Sequence, residues 1–235
     1  MESWKQKVGV GNNIMKIFLD TANIESIKKY NDMGLIDGIT TNPTLLSKEE
    51  GNPAEIMRQI VNIVKGPVSL EVIGTNTEQM VEEAHRLKKY GQNVVVKIPM
   101  IPAGLKAVKR LSSEGIETNV TLIFSANQAI LAAKAGAAFV SPFIGRLDDI
   151  GNDGMVLIKD IVEIFKNYKF DTNVLVASIR HPMHIIEAAK LGAHIVTLPP
   201  DIVGKMIVHP LTDKGLNAFL SDWEKVKREN PNLII

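Results

Sequence analysis

A chain of 235 residues with 45% hydrophobic and 23% charged side chains can bury a sizeable core in one large domain or two small ones, which excludes a disordered polypeptide. Lys and Arg total 27 against 26 Asp and Glu, so the formal charge of +1 gives no global field for nucleic acid or an anionic membrane, and any anion must be held locally. The absence of cysteine excludes disulfides, thiolate nucleophiles, Cys-ligated zinc and iron–sulfur clusters, and it fits a reducing, cytoplasmic setting.

The leader MESWKQKVGVGNN has neither periodicity nor the apolar stretch of a signal peptide, and no run of about 18 apolar residues follows that would span a membrane. Residues 1–14 are expected to be an extension outside the fold and 15–235 a single domain. From Met15 onward, runs of aliphatic and β-branched residues alternate with stretches of helical period. The runs are KIFLD to Asp20, GLIDGITT to Thr41, PVSLEV around Glu71, NVVVKI around Lys97, IETNVTL around Thr121, AAFVSPF around Ser141, NVLVAS to Ser178 and AHIVTL to Leu198.

Between them lie helix signals. Asn52-Pro53 supplies an N-cap and a first-turn proline, Thr77 and Asp153 are cap candidates, and Pro182 opens a further helix. Continuously apolar strands are buried on both faces, as in a parallel sheet covered by helices. Eight such units in about 220 residues predict a (β/α)8 TIM barrel, with a doubly wound open sheet as the alternative. A last helix over 212–227, with Leu216, Phe219, Leu220 and Trp223 on one face, is surplus to the barrel and suits either the barrel's own end or a neighbouring subunit.

Sites in such barrels lie at the C-terminal strand ends. Polar residues interrupt the apolar runs there: Asp20, Thr41 with Asn42, Glu71, Lys97, Asn119 with Thr121, Ser141, and Ser178 with Arg180. Lys97 follows Val94, Val95 and Val96, where desolvation favours a nucleophilic amine; the alternative is a side chain that snorkels to water. An amine with two carboxylates, Asp20 and Glu71, is the set that forms, cleaves and hydrolyses a Schiff base. Each also has a bland reading. Asp20 can cap the helix near Asn23, Glu71 can pair with a neighbouring base, and Asn42 can be a turn former in TTNPTLL. Arg146, Ser178 and Arg180 form a candidate phosphate site, unless the arginines pair with Asp148, Asp149 or Asp153.

Other motifs are weak. GVGNN lacks a preceding strand, so it is no dinucleotide loop. Asp149 to Gly154 resembles an EF-hand fragment, but its third position is Gly151 and its twelfth is Asp160, so it reads as a loop and helix cap. Of the five histidines only His181, with His184 one turn on, lies near the active rim, which predicts no metal site.

The strings FLDTAN, GITTNPTLL, VSLEV, VVVKIPM, TNVTLIFS, SPFIGRLDDIG, VLVASIR and VTLPPD, in this order, resemble the transaldolase family, in particular its small subgroup that includes fructose-6-phosphate aldolases. The resemblance runs from Met15 to Trp223 and implies a class I mechanism with no metal and no cofactor. It matches Lys97 to the Schiff-base lysine, Asp20 to the general acid/base, and Glu71 with Thr121 to the pair that handles the catalytic water. Asn42 and Asn119 match residues holding the dihydroxyacetone hydroxyls, with Ser141 beside the terminal one and Thr41 within the same motif. Arg146, Ser178 and Arg180 match the phosphate site. Fructose-6-phosphate aldolases look similar but carry Gln at the place of Glu71 and Tyr at that of Phe143, so both residues are of the transaldolase type. The resemblance also implies sugar-phosphate substrates of the pentose phosphate pathway and a homo-oligomer, pentameric or decameric. Two other readings are an aldolase that releases free dihydroxyacetone and a non-catalytic sugar-phosphate-binding barrel. His181 departs from relatives, which often have Asn or Thr there.

Overall fold

Val94, Val95, Val96 and Ile98 are all buried, on both faces of one strand, as a parallel sheet wrapped by helices requires. The structure, a computed structural model, describes residues 14–231, so all of the leader except Ile14 lies outside the described residues. The strands are β1 (Lys16–Asp20), β2 (Gly38–Thr40), β3 (Val68–Glu71), β4 (Val94–Pro99), β5 (Thr118–Ile123), β6 (Phe139–Pro142), β7 (Asn173–Val176) and β8 (Ile195–Leu198). Each pairs in parallel with the next, and β8 returns to β1 through Lys16↔Ile195 to Leu19↔Leu198, closing the barrel and excluding the open sheet.

Among the described residues the helices are α1 (Ile24–Asp32), α2 (Pro43–Leu46), α3 (Pro53–Ile63), α4 (Thr77–Lys88), α5 (Pro102–Ser113), α6 (Ala126–Ala135), α7 (Ile144–Asp148), α8 (Gly154–Tyr168), α9 (Pro182–Leu191), α10 (Pro200–Ile207) and α11 (Pro210–Glu229). Asn52 and Asp153 cap α3 and α8 through their side chains, as their positions predict. Two expected caps move. Asn23, not Asp20, caps α1, which frees Asp20 from a structural role there. Asn76, not Thr77, caps α4, because the Thr77 hydroxyl is used by the Ala103 carbonyl at 3.0 Å.

The predicted strand GLIDGITT contracts to three residues. Asp37 donates its N–H to the Ile17 carbonyl and accepts the Ile17 N–H on its carboxylate instead of its backbone, so the regular ladder starts only at Gly38. The turn expected at TTNPTLL is the short helix α2, with Asn42 as its cap on the Leu45 N–H. The surplus helix is α11. It buries no residue, and Leu216 and Phe219 remain 55% and 74% exposed, so its apolar face is not packed on this chain's barrel.

Inward and outward side chains alternate along each strand. Outward residues such as Leu19, Val96 and Val140 join helix residues in two clusters that surround the barrel. Inward residues Phe18, Val95, Phe139, Leu175 and Ile195 form a separate cluster that floors the interior. One pleat further on, the same strands present Asp20, Lys97, Ser141, Ala177 and Thr197. An apolar floor thus lies beneath a polar layer at the C-terminal mouth.

Gly38 makes room for that floor. A Cβ there would stand 2.7 Å from the Phe18 ring and 2.6 Å from the Pro67 carbonyl oxygen, well inside contact distance. Gly38→Ala is therefore expected to lower stability by ~1–3 kcal/mol, as overpacking of a core does, measured by urea or thermal unfolding. Unchanged stability would show that the floor is not filled as described.

Candidate active site

At the C-terminal mouth the strands enclose a cavity of about 240 Å3. Its wall is built from Asp20, Thr40, Asn42, Lys97, Ser141 and Thr197 at the base, and from Phe143, Arg146, Ala177, Ser178, Ile179, Arg180 and Pro199 nearer the rim. Every contributor comes from a strand end or from the segment that follows one.

Lys97 does not snorkel. It is 4% exposed, and its Nζ lies 2.9 Å from Glu71 Oε2 and donates to the Thr41 carbonyl at 3.0 Å. The ladder arranges this, since Glu71 and Lys97 are directly opposed on β3 and β4, and Lys97 opposes Asn119 on β5. The bland reading of Glu71 as a partner for a base is therefore correct as geometry, and the base is the cavity lysine itself.

Asp20 faces the same space. Burial raises its carboxyl above the ordinary carboxylate range, opposed by the charge of Lys97 and by the hydrogen bond that Thr40 donates at 2.7 Å. Thr40 Oγ1 also lies 2.6 Å from Thr197 Oγ1, so β1, β2 and β8 share one hydrogen-bonded chain. A second chain crosses the opposite wall, in which Ser141 Oγ donates to Asn119 Oδ1 at 2.7 Å and Asn119 Nδ2 donates to Ser69 Oγ at 3.2 Å.

The rim carries positive charge. Arg146 projects from α7 with its guanidinium 5.1 Å from the Phe143 ring centroid, and it makes no ion pair among the described residues. Arg180 pairs with Asp149 through Nη2 at 2.5 Å on the exposed rim, where such a pair is worth little. Ser178 has a left-handed backbone, φ 64°, unusual for a residue with a side chain. Its carbonyl accepts the Gly145 N–H at 3.1 Å, and a Cβ on Gly145 would collide with that carbonyl and with the Arg180 side chain. The two arginine-bearing segments are thus in direct contact.

Eight of the twelve expected site residues line the cavity: Asp20, Asn42, Lys97, Ser141, Phe143, Arg146, Ser178 and Arg180. The other four stand behind its wall. Glu71 touches Lys97, and Asn119 holds Ser141. Thr41 is turned away, its hydroxyl donating to the Ser69 carbonyl at 2.9 Å while its own carbonyl receives Lys97. Thr121 is 1% exposed with a hydroxyl that has no protein partner. Thr40 and Thr197 also line the cavity, and no sequence pattern singles them out. Only the pairing of Thr40 with Asp20 sets it facing inward, and nothing local marks Thr197. No group of three or more potential ligands among the described residues could hold a metal ion, and no helix there is long and apolar enough to cross a membrane.

Comparison with known proteins places the chain. Residues 17–230 match the family model described as transaldolase/fructose-6-phosphate aldolase. A probable transaldolase of Nitrosopumilus maritimus is 68% identical over 222 residues, covering 94% of this chain and all of that protein. Probable transaldolases of Kosmotoga olearia and Aquifex aeolicus are 60% and 58% identical, over 91% and 90% of this chain and 98% of each relative. Among solved structures, the inosine 5′-monophosphate dehydrogenase of Legionella pneumophila superposes with a TM-score of 0.55 at 15% identity, over 80% of this chain and 58% of that one, a likeness of fold alone. A family match across nearly the whole described barrel, with these relatives covered end to end, means that the chain belongs to the transaldolase/fructose-6-phosphate aldolase family.

Proposed function

We propose that the protein is a transaldolase that moves a dihydroxyacetone unit between sugar phosphates through a Schiff base on Lys97. The observation that carries this reading is the buried amine of Lys97, with Glu71 at 2.9 Å and Asp20 in the same cavity, beneath a rim with two arginines. The names of the relatives support it.

Glu71 is close enough to take a proton from Nζ, and the free amine then attacks the ketose carbonyl of sedoheptulose 7-phosphate or fructose 6-phosphate. Loss of water from the carbinolamine gives the iminium, with Glu71 and the unpartnered Thr121 hydroxyl handling that water. Asp20 removes the proton of the hydroxyl on carbon 4, the bond between carbons 3 and 4 breaks, and its electron pair moves to the iminium nitrogen as an enamine. The aldose phosphate leaves, glyceraldehyde 3-phosphate or erythrose 4-phosphate. A second aldose phosphate, held by Arg146, Ser178 and Arg180, takes up the three-carbon unit by the reverse steps. Asn42 and Ser141 face the bound hydroxyls, and Asn119 fixes Ser141. The resemblance further supports one domain over 15–235, a cytoplasmic place in the pentose phosphate pathway and a pentameric or decameric assembly. The family also includes fructose-6-phosphate aldolases. Phe143 favours transfer over release, since it has no hydroxyl to direct water onto the enamine.

Borohydride added with fructose 6-phosphate is expected to fix a covalent three-carbon adduct, located on Lys97 by mass spectrometry and absent in Lys97→Ala. An adduct equally abundant in that variant, or none in the unaltered enzyme, removes the mechanism. Asp20→Asn is expected to lower kcat by about 10²–10⁴-fold, the usual weight of a general acid/base. Its stability should move the other way. A raised carboxyl pKa means that ionised Asp20 opposes folding, a cost absent below the unfolded value of 3.8, growing as pH rises from there to the folded value and constant above it. At pH 7 the variant should therefore unfold at the same or a higher temperature, and a clear drop would contradict the burial argument. Phe143→Tyr should raise the yield of free dihydroxyacetone from fructose 6-phosphate without an acceptor, read in a coupled assay. An unchanged ratio of release to transfer would show that Phe143 does not hold water off the enamine.

A further inference from the structure

We propose that His184, outside the cavity wall, is a positioning residue that fixes the two arginine-bearing rim segments in one arrangement and thereby sets affinity for the phosphate group. The proposal rests on reading that rim as the phosphate site.

His184 sits in the first turn of α9 and is 5% exposed, and its two ring nitrogens have different tasks. The Arg180 backbone N–H donates to Nδ1 at 3.4 Å. Nδ1 therefore carries no proton, and the N–H is on Nε2, which lies 3.2 Å from Asp148 Oδ2. Asp148 is the last residue of α7, the helix that carries Arg146, and its other oxygen accepts the Gly154 N–H at 2.8 Å. One imidazole thus spans from the backbone of Arg180 to the end of the Arg146 helix. The Arg146 helix has only five residues, and Ser178 before Arg180 is held in a left-handed conformation.

The surroundings favour the neutral ring. Burial and the charge of His181, whose ring is stacked 3.7 Å away centroid to centroid, lower the pKa of His184, against the opposing carboxylates of Asp148, Glu187 and Asp153. A proton on Nδ1 would set donor against donor at the Arg180 N–H. The neutral ring is the form that fits both partners.

Isothermal titration with inorganic phosphate reads the rim without any turnover, and steady-state kinetics with erythrose 4-phosphate against unphosphorylated erythrose reads it in the reaction. His184→Leu is expected to weaken phosphate binding and raise the KM of erythrose 4-phosphate by about tenfold, with kcat and the KM of erythrose within about twofold. His184→Asn, whose side-chain oxygen can still accept the Arg180 N–H, should recover most of that loss. If His184→Leu does not fold, Asp148→Asn carries the same expectation at reduced size. Equal losses for both acceptors, or phosphate binding unchanged in these variants, overturns the proposal even where borohydride trapping on Lys97 succeeds. A phosphate-selective loss in an enzyme that traps no adduct would sustain the proposal and remove the Schiff-base reading instead.

Discussion

A lysine amine and a glutamate carboxylate 2.9 Å apart inside a ring of apolar strands set the terms for the rest of this structure. Either group alone at that depth would cost several kcal/mol in lost hydration, and breaking such a pair by removing one partner is strongly destabilising. The pairing needs two adjacent strands in a fixed register, which the parallel ladder supplies by opposing Glu71 and Lys97. The lysine also has a second oxygen, the Thr41 carbonyl, from the neighbouring strand end. Three consecutive strand ends, of β2, β3 and β4, are therefore locked around one amine.

The floor beneath the pair matters as much as the pair. Phe18, Val95, Phe139, Leu175 and Ile195 fill the interior one pleat below the polar layer. Such packing leaves little room for water to reach Lys97 from below, and electrostatic effects strengthen where water is excluded. The same alternation that puts a valine at 95 puts a lysine at 97 on the same side. Gly38 shows the cost of this arrangement, because β2 gives up a side chain so that the Phe18 ring can occupy the centre.

The charged members of the site were legible in the sequence for a simple reason. A Lys, Glu or Asp at the end of a continuous apolar run has little else to do, so Lys97, Glu71 and Asp20 stood out, and the closed barrel with its C-terminal mouth followed from eight such runs. What stayed hidden depends on contacts between distant segments. In β2 only three residues lie in the ladder, too few for alternation to set its own phase, and the pairing of Asp20 with Thr40 decides that Thr40 and not Thr41 faces inward. Thr197 reads as an ordinary β-branched strand residue until closure of β8 on β1 brings it to Thr40. The left-handed Ser178 sits against Gly145, a contact that no local pattern announces. His184 sits among Met183, Ile185 and Ile186 in a helical pattern, and only the fold sets it against Asp148.

The depth of each charge suits the group it meets. Under the proposed mechanism Lys97, Glu71 and Asp20 act on a carbonyl and belong together at the base, where burial raises the Asp20 carboxyl. A phosphate, in contrast, is strongly hydrated and is never chemically altered in the transfer. Stripping it of water would waste binding energy that a partly solvated guanidinium leaves available. Arg146 and Arg180 remain exposed, one over an aromatic ring and one in a rim ion pair with Asp149. The two arginines lie beyond the strands, so the placement that the buried residues obtain from strand register must come at the rim from a different source. Direct backbone contact between the α7 segment and Ser178, with a buried imidazole bracing the same two segments from behind, is a structure able to supply it.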